Sequence, residues 1–249
     1  MRRIMLKVAY DGTEFHGWQL QPGVRTVEGE LNKALSEWTG NDICVIGASR
    51  TDTGVHALGN LAVFDLDLTI PTDRIAYALN TKLPADVKIQ QAIEVEPDFH
   101  PRHCASRKTY EYHIYAAQFP MPLASRFAYY TYLNPDTGLM QQAAAYLMGE
   151  HDFKSFCCVR TQAESTVRTI YNIEVSKDEK EIIIKIEGNG FLYNMVRIIA
   201  GTLLEVGKGK IEPNQMPKIL REKNRQAAGP TAPAHGLTLV KYEFLEEGL

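Results

Sequence analysis

Four cysteines in 249 residues, none spaced as CxxC, leave this chain without the framework of a disulfide-built secreted fold. They stand at Cys44, Cys104, Cys157 and Cys158, and the adjacent pair suits an inert disulfide poorly, so reduced structural thiols are expected. Net charge is −3, so the chain lacks the cationic excess that announces a nucleic-acid binder. No apolar run approaches the length of a bilayer span. Lys7 and Asp11 interrupt the first apolar stretch too early for a signal peptide, which points to a cytoplasmic protein with no membrane association. A GxxxxGK[ST] loop is missing, so nucleotide hydrolysis has no support. Gly188-Asn189-Gly190 lacks the third glycine of a dinucleotide fingerprint, since position 193 is Tyr, and no βαβ unit surrounds it. His100, His103 and Cys104 have no second ligand pair at metal-binding spacing, so no metal is expected.

What is present is an ordinary globular composition, 45% hydrophobic and 23% charged, in a chain long enough for one large domain or two of moderate size. Charge is unevenly spread. Basic groups gather at Arg2-Arg3, from Arg102 to Lys108, at Arg160 and Arg168, at Lys208 and Lys210, and from Lys218 to Arg225. Acids collect at Asp178-Glu179-Glu181 and in the tail at Glu243, Glu246 and Glu247. A positive cleft and several separate solvated faces both fit this distribution.

The first hundred residues read as β-α-β-β-α-β. Ile4, Leu6, Val8 and Tyr10 alternate as on a strand, and so do Val87, Ile89, Gln91, Ile93 and Val95. Thr26 is placed to cap a helix that carries Val27, Leu31, Ala34-Leu35 and Trp38 at helical spacing and ends at Gly40. A second helix is expected over 72–82, and strands over 43–46 and 58–66 flank a loop. This order suits a ferredoxin-like unit with helices on one side of an antiparallel sheet. The proline-bearing stretch from Glu96 to Ser106 reads as a boundary, giving domains over 1–105 and 106–249. In the second domain, strands are expected over 108–115, 166–175, 181–187 and 237–244, and helices over 134–148, 191–206 and 214–223. It looks like a second, decorated copy of the first, with no visible sequence repeat.

The flanked loop is GASRTDTGVHA, Gly47 to Ala57, where Asp52 is the one acid beside Arg50 and the turn-forming Thr53-Gly54. A carboxylate between two strand ends is rigidly held for chemistry, and a neighbouring cation favours its ionised form. A connecting loop with a surface ion pair is the plain alternative. Arg197 interrupts the apolar run Met195 to Gly201, so it is either the inward partner of an acid or a cation reaching past the helix to solvent. Tyr110, beside Arg107 and Lys108, suits either a stacked nucleobase or a sheet core.

Taken in order along the chain, these segments resemble the tRNA pseudouridine synthase A family. The resemblance rests on YDGTEFHGWQLQP (Tyr10 to Pro22), TVEGEL (Thr26 to Leu31), GASRTDTGVHA and RKTYEYHIY (Arg107 to Tyr115). HDFKSF (His151 to Phe156), GNGFLYNMVRIIAG (Gly188 to Gly201) and GPTAPAHGL (Gly229 to Leu237) complete it. The specific element is RTDxGVHA; Ser49 and Tyr193-Asn194 depart from the familiar pattern. The resemblance implies an α+β fold of two ferredoxin-like halves joined in one extended antiparallel sheet, with a cleft between them. It further implies conversion of uridine to pseudouridine at positions 38–40 of the tRNA anticodon stem-loop by a homodimer, without cofactor or metal. Asp52 would be the catalytic aspartate, Arg197 its partner, Tyr110 a contact to the target base, and Arg50 a holder of the flipped uridine. A non-catalytic RNA-binding module and a carboxylate-dependent hydrolase are the competing classes, the latter weakened by the absence of an evident second acid.

Overall fold

The computed structural model describes residues 1–158 and 163–245, so Arg160 of the basic clusters and the acids Glu246 and Glu247 fall outside the described residues. The chain forms two compact units, Met1–Ser106 joined by the strand from Leu239 onward, and Arg107–Thr238. This differs from a linear division at residue 106. Tyr242 packs with Met5, Leu61, Val63 and Phe99 and donates its hydroxyl to Pro101 O at 3.1 Å, which groups the last strand with the first unit.

In the first unit the order is β1 (Arg2–Tyr10), α1 (Val27–Thr39), β2 (Ile46–Gly47), β3 (His56–Leu66), α2 (Thr72–Asn80) and β4 (Val87–Val95). The closing strand β10 (Leu237–Phe244) lies beside β3, giving the sheet order β4-β1-β3-β10 with β2 also on β3. Strand β1 runs antiparallel to both neighbours, with Ile4 opposite Phe64 and Glu94. Its Ile4, Leu6, Val8 and Tyr10 are buried, as the alternation requires. Thr26 Oγ1 accepts from Gly29 N at 3.2 Å and Gly40 closes α1 in the left-handed region, so both ends stand where the capping residues put them. The strand expected over 43–46 shrinks to Ile46–Gly47. Side chains of α1 take up the backbone donors ahead of it: Ile43 N bonds Ser36 Oγ and Val45 N bonds Asn32 Oδ1. The register of β1 on β3 shifts between Val8, opposite Asn60, and Tyr10, opposite Ala57. This bulge in β3 lies directly after the Asp52 loop.

The second unit contains β5 (Ser106–Ala116), β6 (Tyr129–Thr131), α3 (Thr137–Ala145) and β7 (Gly149–Asp152). They are followed by β8 (Val167–Asp178), β9 (Glu181–Gly188), α4 (Met195–Gly207) and α5 (Met216–Glu222). Strands β5-β9-β8-β7 are successive antiparallel neighbours, and the short β6 pairs parallel to β5. Tyr110, Tyr112 and Ile114 of β5 and Ile182, Ile184 and Ile186 of β9 form a buried face, and α4 is buried along nearly its whole length. The helix expected from Phe191 begins only at Met195, because Asn194 sits at φ 62°, outside the right-handed helical region. Both units are thus α+β with mainly antiparallel sheets.

Candidate active site

The Asp52 loop leaves β2 with one last ladder bond, Ala48 N to Leu61 O at 2.7 Å. Ser49 and Thr51 then point inward and are buried, Arg50 is exposed, and Asp52 is half-buried. Val55 N donates to Asp52 O at 3.1 Å, closing the turn through Thr53 and Gly54. Beneath the loop lies a buried polar network. Tyr10 OH and Thr51 Oγ1 are 2.8 Å apart, and Asn60 Nδ2 donates to Tyr10 OH at 3.3 Å and to Ser49 O at 2.9 Å. Asn60 Oδ1 accepts from Leu61 N at 2.9 Å, so this amide is satisfied from both ends. Buried networks of this kind rigidify what they support. Asn60→Leu would remove the Nδ2 bonds to Tyr10 OH and Ser49 O and loosen the loop. We expect a stability loss of about 1–3 kcal/mol, seen as a lower midpoint in thermal denaturation. An unchanged midpoint would mean that the network contributes nothing.

The segment Gly12 to Trp18 closes over the loop. Trp18 N donates to Thr51 O at 3.1 Å and Gly54 N donates to Phe15 O at 3.2 Å. Gly17, at φ 86°, permits the approach: a Cβ there would sit 2.6 Å from Thr51 O. Arg25 fixes the segment in turn. Its guanidinium grips Asp86 with two bonds of 2.6 and 2.9 Å, bonds Glu30 at 2.7 Å, and lies 4.2 Å above the Phe15 ring. These bonds hold the Asp86 carboxyl below the usual carboxylate range. Clamped above and below, the carboxylate of Asp52 is carried on backbone with little freedom to shift.

In the second unit Tyr110 is 6% exposed and meets Phe191 edge-on, with ring centres 5.2 Å apart. Arg197, in the first turn of α4, is half-buried; its Nε donates to Ala232 O at 2.8 Å and its Nη1 to Asn194 Oδ1 at 2.9 Å. Two neutral acceptors therefore help aim this guanidinium, a contribution that neither sequence reading of Arg197, as an acid's partner or a cation reaching to solvent, included. Phe191 and Asn194 lie three positions apart in the segment that leads into α4, so this one short segment touches both Tyr110 and Arg197.

The segment from Gly229 to Gly236 straps across α4. Ala232 N bonds Arg197 O at 3.1 Å, Gly229 N bonds Thr202 Oγ1 at 3.0 Å, and Tyr112 donates its hydroxyl to Pro233 O at 2.9 Å. Burial pushes the Tyr112 hydroxyl far up, so it stays a donor at any working pH. Gly201 abuts the Pro230 carbonyl with no room for a Cβ. Burial, with Arg197 adding to it, lowers His235 and favours its neutral form.

Arg50 and Asp52 thus share one loop of the first unit, while Tyr110 on β5 and Arg197 on α4 of the second are both touched by the segment from Phe191 to Asn194. Arg50 makes no hydrogen bond or ion pair among the described residues. Asn60, Tyr10, Tyr112 and the Ala232 strap escaped the sequence reading as functional supports. Only Asn60, a polar residue within the apolar run Leu58 to Leu66, carried a signal. Among the described residues no group of three or more His, Cys, Asp or Glu side chains is arranged to hold a metal ion. His100 and His103 instead stack ring on ring, 3.9 Å between centres.

A family model described as tRNA pseudouridine synthase matches residues 7–103 and 143–244. A tRNA pseudouridine synthase A from Acetivibrio thermocellus is 46% identical over 244 residues, covering 98% of this chain and all of that protein. One from Thermoanaerobacter sp. strain X514 is 47% identical over 241 residues, 97% of this chain and 99% of that protein. One from Halalkalibacterium halodurans is 48% identical over 238 residues, 95% of this chain and 90% of that protein.

Proposed function

This chain belongs to the tRNA pseudouridine synthase family, isomerases of tRNA, and we propose that it acts on uridines 38–40 of the anticodon stem-loop through Asp52. The observation that carries the role of Asp52 is its placement. It is the one carboxylate between Gly47 and Ala57, half-buried on a loop that is hydrogen-bonded to Tyr10 and Asn60 below and to Trp18 N and the Phe15 carbonyl above.

The reaction breaks the N1–C1′ bond of uridine, turns the uracil, and forms C5–C1′; C5 gives up its proton and the freed N1 takes one up, so substrate and product are isomers. One C–N bond is exchanged for one C–C bond with no net oxidation and no external group donor, so the chemistry requires no redox cofactor. An ionised carboxylate serves it by attack on the base or sugar, or by removing the C1′ proton. In this reading Arg197, aimed by Ala232 and Asn194, keeps Asp52 ionised and oriented. Tyr110 packs against the uracil and relays the C5 proton. Arg50, exposed and uncommitted, holds the flipped nucleotide, whose extrusion costs a few kcal/mol that phosphate and stacking contacts must offset. Enclosure keeps the detached uracil from escaping and water from the activated sugar.

The same reading makes the enzyme a cytoplasmic homodimer with tRNA as its partner and no membrane association. Supporting a dimer, Phe119 and Leu123 are 72% and 90% exposed within a short loop that also exposes Met121 and Phe127. The test is tritium release from tRNA labelled at uridine C5, with the modified sites mapped on tRNA lacking pseudouridine. Pseudouridine confined outside the anticodon arm would overturn the assigned site, and free uracil as product would point to a hydrolase. Sedimentation of the same preparation should give twice the mass of one chain, and a monomer at micromolar concentration would remove the dimer.

A further inference from the structure

We propose that Arg107, Tyr171 and Arg168 form a contact for the sugar–phosphate backbone of RNA, apart from the residues assigned to the target uridine. The proposal rests on tRNA being the substrate. Three strands of the second unit meet at Gly188, which pairs with Lys108 of β5 on one side and Ile170 of β8 on the other. Immediately past Ile170 the register shifts, leaving Tyr171 as the extra residue of a bulge. Bulges turn a side chain out of the regular alternation. Tyr171 is 40% exposed, and the Arg107 guanidinium lies 5.1 Å from its ring centre.

Arg107 is held there against its own hydrogen bonding. Its Nε is buried with no hydrogen-bond partner, and Arg107 forms no ion pair among the described residues. An unpaired buried donor costs more than an exposed cation–π contact returns, so stability does not explain the placement. Arg168 lies at the same end of the sheet. Its Nη1 donates to Ser165 O at 2.9 Å and to Val167 O at 2.6 Å, and its Nε lies 3.7 Å from where a Cβ on Gly190 would be. Burial lowers its pKa, with Cys157 opposing the shift, and Arg168 forms no ion pair among the described residues. Glu187, opposite Asn172 and Thr109 in the ladder, forms no ion pair with either arginine. One arginine over an exposed aromatic plane and a second at the same end of the sheet, neither in an ion pair among the described residues, match a chain of phosphates whose sugars and bases present flat faces.

The test measures binding of unmodified tRNA by Arg107→Gln, Arg168→Gln and the double variant across a salt series. Each single variant should weaken binding by ~3- to 10-fold near 0.1 M salt. Each should also flatten the slope of log K against log salt by ~0.7–0.9 for the phosphate contact it loses. Tyr171→Ala should weaken binding with the slope retained, since it removes a surface and no charge. Lys241→Gln, whose lysine is paired with Glu243 in the first unit, should leave both quantities at wild type. A folded double variant with wild-type affinity and slope would overturn the contact, as would an equal loss in Lys241→Gln. Tritium release by the wild-type enzyme separates the two readings. Turnover with an unaltered slope in the double variant removes this contact alone; no turnover with an altered slope removes the assigned reaction and keeps the contact.

Discussion

Asp52→Asn will abolish tritium release from C5-labelled tRNA while the tRNA is still bound with near wild-type affinity. The substitution keeps the shape of the side chain and removes only its charge and basicity. The loop itself is secured by backbone groups, Trp18 N to Thr51 O, Gly54 N to Phe15 O and Val55 N to Asp52 O, none of which the amide disturbs. Fold and RNA surface should therefore persist. Whether the carboxylate attacks or removes a proton, the amide does neither, and a loss of at least ~10³-fold in turnover, about 4 kcal/mol in the barrier, is expected. Residual turnover comparable to wild type would end the assignment. A parallel loss of binding would make Asp52 a structural residue of the loop.

Gly201→Val should be the most damaging single change away from the loop. A side chain at 201 would stand inside the Pro230 carbonyl, so either α4 or the strap must move. The helix is buried on almost every side, and displacement falls on the strap. The strap carries Ala232, whose carbonyl accepts from Arg197 Nε at 2.8 Å, and Pro233, whose carbonyl accepts from Tyr112. We expect a stability loss of about 1–3 kcal/mol in denaturant unfolding, with turnover falling further than the unfolded fraction explains. Gly201→Ala should do the same to a smaller degree. Wild-type stability and turnover in the valine variant would show that the contact between helix and strap is dispensable.

The elements legible in the sequence were those with a strong local signal. Alternation gave β1 and β4, and Thr26 with Gly40 bracketed α1 between a side-chain cap and a left-handed stop. Elements decided by long-range partners were not legible. Ile43 and Val45 have strand-like side chains, yet their backbone donors go to Ser36 and Asn32 of the preceding helix. The turn from Phe191 reads as helix in composition, and a single positive φ at Asn194 delays the helix by four residues. For the site, the motif around Asp52 was evident, whereas its support was not. Tyr10 and Asn60 are fifty positions apart, and the pairing of β1 with β3 brings them together beneath the loop.

The short segment from Phe191 to Asn194 that touches both Tyr110 and Arg197 means that these two side chains are not energetically independent. Phe191 bounds the tyrosine ring and Asn194 anchors the guanidinium only a few bonds along the same backbone. A substitution that repacks one end of such a short, conformationally fixed segment reaches the other, so their effects will not add. On the proposed roles, recognition of the base and steering of the charge are thermodynamically coupled, and neither can be retuned without carrying the other along.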